Sequence, residues 1–155
     1  MTDEQTRALD AAIEMLQRSY NPYSGFAVGA CLVMEDGSHV TGTNVENAAY
    51  GPTICAERTA VVAANAQGKR IFRGIAITGR LSTTPDGDAH ELVSPCGACR
   101  QVLFEMTDLG GPDHDPWVVL GSPSRQNVEV TSIRELLPRA FGPSDLHVDL
   151  TRYRG

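Results

Sequence analysis

The stretch that most constrains the fold is Pro95-Cys96-Gly97-Ala98-Cys99-Arg100-Gln101, together with Cys55-Ala56-Glu57-Arg58 upstream. Proline is favoured in the first turn of a helix, which predicts that Cys96 stands at a helix start and that Cys99 shares its face. Cys55 is predicted to begin another helix. The positive end of each helix dipole stabilises thiolates. Two such helix starts, if they converge, bring three thiolates to one ion.

This donor set predicts a catalytic zinc site, with three protein ligands and an open fourth position. A closed, purely structural site would need a fourth ligand, and no histidine lies at zinc-finger spacing from a cysteine pair. An acid in the first turn of a helix is ordinary, but beside three thiolates Glu57 is predicted to move protons. Three thiolates and one zinc ion leave a net negative charge, and the Arg58 guanidinium is the candidate to offset it. The fourth cysteine, Cys31, is predicted to be a buried apolar residue.

The rest of the chain is predicted to alternate between strands and helices. Thr2 and Gln5 can form a capping box before an amphipathic helix, whose apolar positions are Leu9, Ala12, Ile13, Leu16 and Tyr20. Strands are predicted at Phe26–Met34, His39–Thr43, Gly74–Thr78, Trp117–Leu120 and Asn127–Thr131. Further helices are predicted from Cys55 to Gln67, from Cys96 to Met106 and from Ser132 to near Pro138. The order α-β-β-α-β-α-β-β-α favours an α/β layered architecture.

Composition narrows the range of partners. A chain of 155 residues with 41% hydrophobic side chains suits one domain, residues 1–155. The formal charge of −6 and the lack of a basic run argue against a nucleic-acid partner, and a small uncharged substrate fits better. Apolar runs are too short to cross a membrane. With no charged-then-apolar leader, a cytoplasmic location is expected, where clustered thiols bind metal rather than form disulfides.

The residues resemble the small, homotetrameric, zinc-dependent cytidine deaminases over nearly the whole chain. The matching segments are Tyr23–Ala30, Asn44–Ala48, Cys55–Ala60, Ser94–Val102 and Leu136–Gly142. The cysteine motifs are typical of the wider nucleobase deaminase superfamily, in which the glutamate is not a zinc ligand. The Asn44-Val45-Glu46-Asn47 segment is typical of a smaller group within this superfamily and indicates a nucleoside substrate.

The resemblance implies a three-layer α-β-α fold with a five-stranded mixed sheet, and hydrolytic deamination of cytidine and 2′-deoxycytidine, as in pyrimidine salvage. Cys55, Cys96 and Cys99 would bind one zinc ion per subunit. Glu57 would carry protons to N3 and to the leaving amine. The substrate-binding residues implied are Phe26, Asn44, Glu46, Ala56 and Phe141, with Arg58 supporting the thiolates. Phe141 would reach the site of a neighbouring subunit in a homotetramer with shared active sites.

Three other interpretations remain open at this point. A blasticidin S-type or other aminopyrimidine nucleoside deaminase would share the cysteine motifs, but blasticidin S deaminase lacks the Asn44–Asn47 element. A polynucleotide deaminase would need a basic groove and stacking aromatics, whereas aromatic residues make up only 6% of this chain. A non-catalytic zinc scaffold would not need Glu57.

One segment departs from the short members of the resembled family. Residues Ser82–Glu91 have the character of an acidic insertion within a predicted loop, Gly79–Val93. They are predicted to form a solvated surface loop. The alternatives are that they extend over a subunit boundary or alter access to the site.

Overall fold

The computed structural model describes residues 1–154, and over this range the helices and strands follow the predicted order. The helices are α1 Asp3–Met15, α2 Ala56–Ala66, α3 Gly97–Gly110 and α4 Ile133–Leu136. The strands are β1 Phe26–Met34, β2 His39–Thr43, β3 Phe72–Leu81, β4 Trp117–Gly121 and β5 Val128–Ser132. Short 3₁₀ turns cover Leu16–Arg18, Asp86–Asp88, Pro143–Leu146 and Thr151–Tyr153.

The strands form one mixed sheet in the order β2-β1-β3-β4-β5. The β1–β2, β1–β3 and β4–β5 pairs are antiparallel, and β3–β4 is parallel. Parallel neighbours need a crossover connection, and α3 lies within the connection from β3 to β4. The predicted mixed, five-stranded α/β sheet is therefore confirmed.

The sheet separates two apolar layers. Along β1, Ala30 and Leu32 pack in the core that includes residues of α2, α3 and α4, whereas Cys31 and Val33 pack against α1. Alternate residues of a strand point to opposite faces, so a strand covered on both sides is apolar throughout. The result is the three-layer α-β-α arrangement, with Cys31 buried in the α1 layer as predicted.

Three elements depart most from their predicted bounds. Helix α1 stops at Met15, and Tyr20 is 56% exposed instead of lying on the apolar helix face, because the chain is already extended at Ser19. Strand β3 runs beyond the predicted Gly74–Thr78 at both ends, because it pairs along the full length of β1. Helix α3 continues past Met106 and ends at Gly110, before a glycine at positive φ.

The start of β1 and the ends of β2 and β3 lie together at one end of the sheet, near the predicted site residues. The start of β1 lies beside the end of β3, and Gly29 of β1 pairs with Thr43 at the end of β2. Helix α2 is seated on this end of the sheet through Gly42, where a Cβ would overlap the Ala56 carbonyl oxygen and the Ala60 backbone nitrogen. Only a glycine lets the first turn of α2 approach the strand this closely.

Candidate active site and metal centre

Three cysteine thiols meet at the starts of two helices. Cys55 is the N-cap residue of α2, Cys96 is the N-cap residue of α3, and Cys99 lies in the first turn of α3. Their three sulfur atoms all lie within 4.8 Å of one another. Soft sulfur ligands at this spacing suit a tetrahedral zinc ion with one remaining position. The convergence that the sequence could only suggest is therefore present in the fold.

Cys55 is the thiol of this cluster that ionises most readily. Its pKa is lowered to about 5, chiefly by a hydrogen bond from the Cys99 thiol, and also by one from Arg58. The pKa of Cys99 is raised for the complementary reason, because its proton is held against the Cys55 sulfur and it is buried. A bound divalent cation reverses this second effect, since thiol ligands bind metal as thiolates.

Glu57 and Arg58 flank the thiols on the first turn of α2. The Glu57 side chain is almost completely buried, at 4% exposure, and this burial raises the pKa of its carboxyl. The Arg58 Nη2 atom donates to the Thr53 carbonyl at 3.3 Å and to the Cys55 sulfur at 3.7 Å. Arg58 thus places a positive charge beside the Cys55 sulfur.

A second arginine, which the sequence interpretation missed, braces the α3 side of the cluster. Arg100 donates from Nε to the Pro95 carbonyl at 2.8 Å and from Nη1 to the Leu136 carbonyl at 2.9 Å. These bonds tie the residue before Cys96 to the end of α4. A guanidinium is suited to this because its donors are held in a rigid fork. The motif Cys96-x-x-Cys99-Arg100 was its only signal in the sequence.

The side-chain amide of Asn44, just beyond β2, makes hydrogen bonds to the backbone of β1. Its Nδ2 donates to the Phe26 carbonyl at 2.9 Å, and its Oδ1 accepts from the Val28 amide at 2.9 Å. The side chain thereby continues the pairing of β2 with β1 for one more step. Asn44 is 9% exposed. Its bond to the Phe26 carbonyl holds these two predicted site residues side by side at the start of β1.

Glu46 faces the loop that leads into β1. Its Oε2 accepts from the backbone amides of Tyr23 at 2.8 Å and of Ser24 at 3.2 Å. Ser24 Oγ in turn accepts from the Phe26 amide at 3.0 Å. An open cavity of about 400 Å³ beside Glu46 is lined by Tyr23, Ser24, Glu46, Tyr50 and Thr53. The sequence pattern predicts no role for Tyr23, Ser24 or Tyr50, although Tyr23-Ser24 begins one of the matching segments.

Comparison with known proteins agrees with this geometry. The profile of the cytidine and deoxycytidylate deaminase zinc-binding region matches residues 2–109, which hold all three clustered cysteines and Glu57. The chain belongs to this deaminase family. A cytidine deaminase of Halalkalibacterium halodurans is 43% identical over 136 residues, which cover 88% of this chain and 92% of that protein. One of Sporosarcina psychrophila is 41% identical over 130 residues, or 84% and 85% of the two chains.

A solved structure supports the same assignment. The crystal structure of a cytidine deaminase from Burkholderia pseudomallei aligns with a TM-score of 0.75 at 43% identity, covering 91% of this chain and all of that one. The predicted family, fold and zinc cofactor are thereby confirmed. No helix within residues 1–154 has the length and apolar character needed to span a membrane.

Two other predicted site residues, Ala56 and Phe141, differ strongly in exposure. Ala56 is fully buried and packs in the core between the sheet and α2. Phe141 lies after α4 with its side chain 61% exposed, and its carbonyl accepts from Gln101 Nε2 at 2.7 Å. The Phe141 backbone is therefore hydrogen-bonded to α3, while its side chain is mostly exposed.

The acidic segment Ser82–Glu91 is mostly exposed, as predicted, but it is anchored. Asp86 pairs with Arg80, His90 Nδ1 lies 2.8 Å from Ser124 Oγ, and Ala89 is buried. With the end of β3 it encloses a cavity of about 360 Å³ that Phe26 also lines. The segment therefore forms a fixed wall beside Phe26, which a purely solvated loop would not.

Proposed function

We propose that this chain hydrolyses cytidine and 2′-deoxycytidine to uridine and 2′-deoxyuridine, with release of ammonia. The observation that carries the proposal is the buried Glu57 carboxyl on the first turn of α2, next to three sulfurs within 4.8 Å of one another. A structural zinc site needs no such carboxyl, whereas a hydrolytic one needs a group that moves protons. The relatives named above are cytidine deaminases.

In this proposal Cys55, Cys96 and Cys99 would hold zinc, and the chemistry that zinc would supply when bound is the activation of a water as the nucleophile for C4 of the pyrimidine. Glu57 would accept a proton from the attacking water and pass it to N3, and would then take the proton of the new C4 hydroxyl and deliver it to the amine, which departs as ammonia. The burial of Glu57 keeps bulk water from competing for these protons. Arg58 keeps the thiolates partly neutralised, so that the electron-rich ligand set still allows activation of water.

Phe26, Asn44 and Glu46 would bind the nucleoside. Phe26 would pack against the ring, and the Asn44 amide and Glu46 carboxylate would bind the ribose 3′-hydroxyl. Asn44 has one Nδ2 hydrogen that bonds to nothing else within residues 1–154, and Glu46 has a carboxylate oxygen beside the open cavity. Ala56, buried where α2 begins, would contribute through its backbone.

We also propose a cytoplasmic homotetramer, working in pyrimidine salvage, in which Phe141 completes the site of a neighbouring copy. The exposed Phe141 ring and the four free cysteines support this proposal, because reduced thiols suit the cytoplasm. Light scattering of the purified protein is expected to give four times the mass of one chain. A monomer with full activity would contradict the shared site.

The decisive experiment compares the wild type with Glu57→Gln, using cytidine, 2′-deoxycytidine and blasticidin S as substrates under ultraviolet monitoring. We expect both nucleosides to be deaminated, and kcat to fall about a thousandfold in the variant while its zinc content is unchanged. Glu105→Gln, a change on the exposed face of α3, is the matched control and should keep full activity.

Each other outcome has a definite meaning. Turnover of blasticidin S alone would transfer the assignment to a different aminopyrimidine nucleoside. A zinc-loaded wild type that converts none of the three substrates would leave a zinc scaffold and overturn the proposed reaction.

A further inference from the structure

One polar side chain beside the site residues has no role in the function described so far. Ser19 follows the 3₁₀ turn at the end of α1 and is partly buried. Its hydroxyl donates to Asn44 Oδ1 at 2.6 Å, which is a short bond across 25 positions of sequence. The contact joins the end of α1 to the residue that follows β2.

The donors around Asn44 fix which way its amide points. The Val28 backbone nitrogen can only donate, so the atom it meets must be Oδ1, and the Phe26 carbonyl can only accept, so its partner must be Nδ2. The Ser19 hydroxyl therefore adds a second bond to an oxygen that already has one. Rotating the amide would break the two backbone bonds and leave the Val28 amide and the Phe26 carbonyl unpaired, although the Ser19 hydroxyl could then accept from the NH2 group.

The chain around Ser19 reinforces this arrangement. The next residue, Tyr20, donates its amide to the Asn44 carbonyl at 3.1 Å and accepts from the Glu46 amide at 2.8 Å. Residues 19–20 therefore run alongside 44–46 as a short parallel bridge. Because this bridge is backbone-based, it remains when the Ser19 hydroxyl is removed.

We propose that Ser19 is a positioning residue for substrate binding, which holds the Asn44 amide so that its remaining Nδ2 hydrogen is presented to the ribose 3′-hydroxyl. This inference rests on the proposed function, because it takes Asn44 to be the ribose contact. It assigns to Ser19 no contact with the substrate. Its effect belongs in KM rather than in kcat, since the reacting atoms lie on the thiol side of the site.

The test uses Ser19→Ala, Ser19→Thr and the control Ser38→Ala, which removes another partly buried serine hydroxyl from the β1–β2 turn. Steady-state kinetics are measured with cytidine, 2′-deoxycytidine and 3′-deoxycytidine. For Ser19→Ala we expect KM to rise about threefold for the two substrates with a 3′-hydroxyl, with kcat unchanged. For 3′-deoxycytidine KM should not move, because the bond in question is absent. Threonine should restore wild-type values.

A purely structural role gives a different pattern. Equal changes in KM for all three nucleosides, or no change in any, would overturn the proposal. A threonine variant as impaired as the alanine variant would do the same, because threonine keeps the hydroxyl.

Hydrogen exchange separates this inference from the proposed reaction. The Val28 amide donates to Asn44 Oδ1, so loosening of the amide should speed its exchange. We expect about threefold faster exchange in Ser19→Ala than in the wild type or in Ser38→Ala. If the wild type converts no nucleoside, the proposed function fails, and the exchange rates still decide whether Ser19 fixes Asn44. Unchanged exchange in Ser19→Ala would overturn that role.

Discussion

The thiol side and the sugar side of the site are constructed differently. On the thiol side, Cys55, Cys96 and Cys99 are delivered by the starts of α2 and α3, and the helices set the positions of the sulfurs. On the sugar side, Asn44 is held by hydrogen bonds to Ser19 and to the backbone of β1, and Glu46 by hydrogen bonds to the loop before β1. Two helix starts place the thiols, whereas hydrogen bonds to β1 and to the loop before it place the groups that would meet the sugar.

This difference predicts which substitutions should affect function most. Metal ligands tolerate only small errors in distance, and helix starts seated on a sheet provide that accuracy. Sugar hydroxyls can be met by side chains whose geometry depends on several modest bonds, each of which contributes about 1 kcal/mol. Changes on the thiol side should therefore abolish function, whereas single changes on the sugar side should weaken it by degrees.

The largest effect is expected from Cys99→Ser. Cys99 is fully buried within the thiol cluster, and a serine hydroxyl is a much poorer zinc ligand. Zinc content measured by elemental analysis should fall well below one ion per chain, and deamination should be lost. The control is Cys31→Ala, which removes a buried thiol from the α1 layer and should keep its zinc. Full zinc in Cys99→Ser would break the comparison.

A smaller effect is expected from Gly42→Ala. This change tests whether the close contact between Gly42 and α2 determines the positions of the thiols. The added methyl group would collide with the backbone of Ala56 and Ala60, so α2 must shift. We expect a loss of about 2 kcal/mol in the free energy of unfolding and weaker zinc retention against a chelator. Gly87→Ala is the control, because a Cβ there meets nothing within 4 Å. Unaltered stability and zinc retention in Gly42→Ala would show that the helix seat is not limiting.

The smallest effect concerns acid stability on the sugar side. A hydrogen bond with Ser24 and the Tyr23 amide hold the pKa of Glu46 below its usual 4.5. A carboxyl with a lowered folded-state pKa contributes stability above its unfolded pKa, and that contribution is lost as the pH falls through the folded value. The free energy of unfolding, measured by urea titration between about pH 5 and about pH 3, should fall less steeply in Glu46→Gln than in the wild type.

Glu14→Gln on the exposed face of α1 is the control for that titration, and it should follow the wild type. Protonation of the thiolates affects all three proteins alike, so only the difference between them reports on Glu46. Parallel curves for Glu46→Gln and the wild type would mean that the loop contacts do not stabilise the ionised carboxylate.

The sequence carried enough to predict the thiol cluster and the order of elements, because both depend on local signals. Proline before Cys96, capping residues at Thr2 and Ser132, and the alternation of apolar runs each act within a few positions. The bracing by Arg100 and the bond from Ser19 to Asn44 could not be predicted, because they join residues 25 or more positions apart. The sequence around a single serine does not show whether its hydroxyl bonds to another side chain or to water. The real end of α1 was missed for a similar reason, since Tyr20 leaves the helical spacing to pair with Val45.

The parallel pairing of β3 with β4 has a consequence for the order in which the chain can mature. The cysteine of α2 and the pair on α3 lie on opposite sides of β3 in the sequence, so the complete thiol set exists only after α3 has docked. Contacts between residues this distant form slowly, because the intervening loop must close first. During synthesis Cys55 emerges before Cys96 and Cys99, so all three thiols can act together on one ion only after α3 has packed.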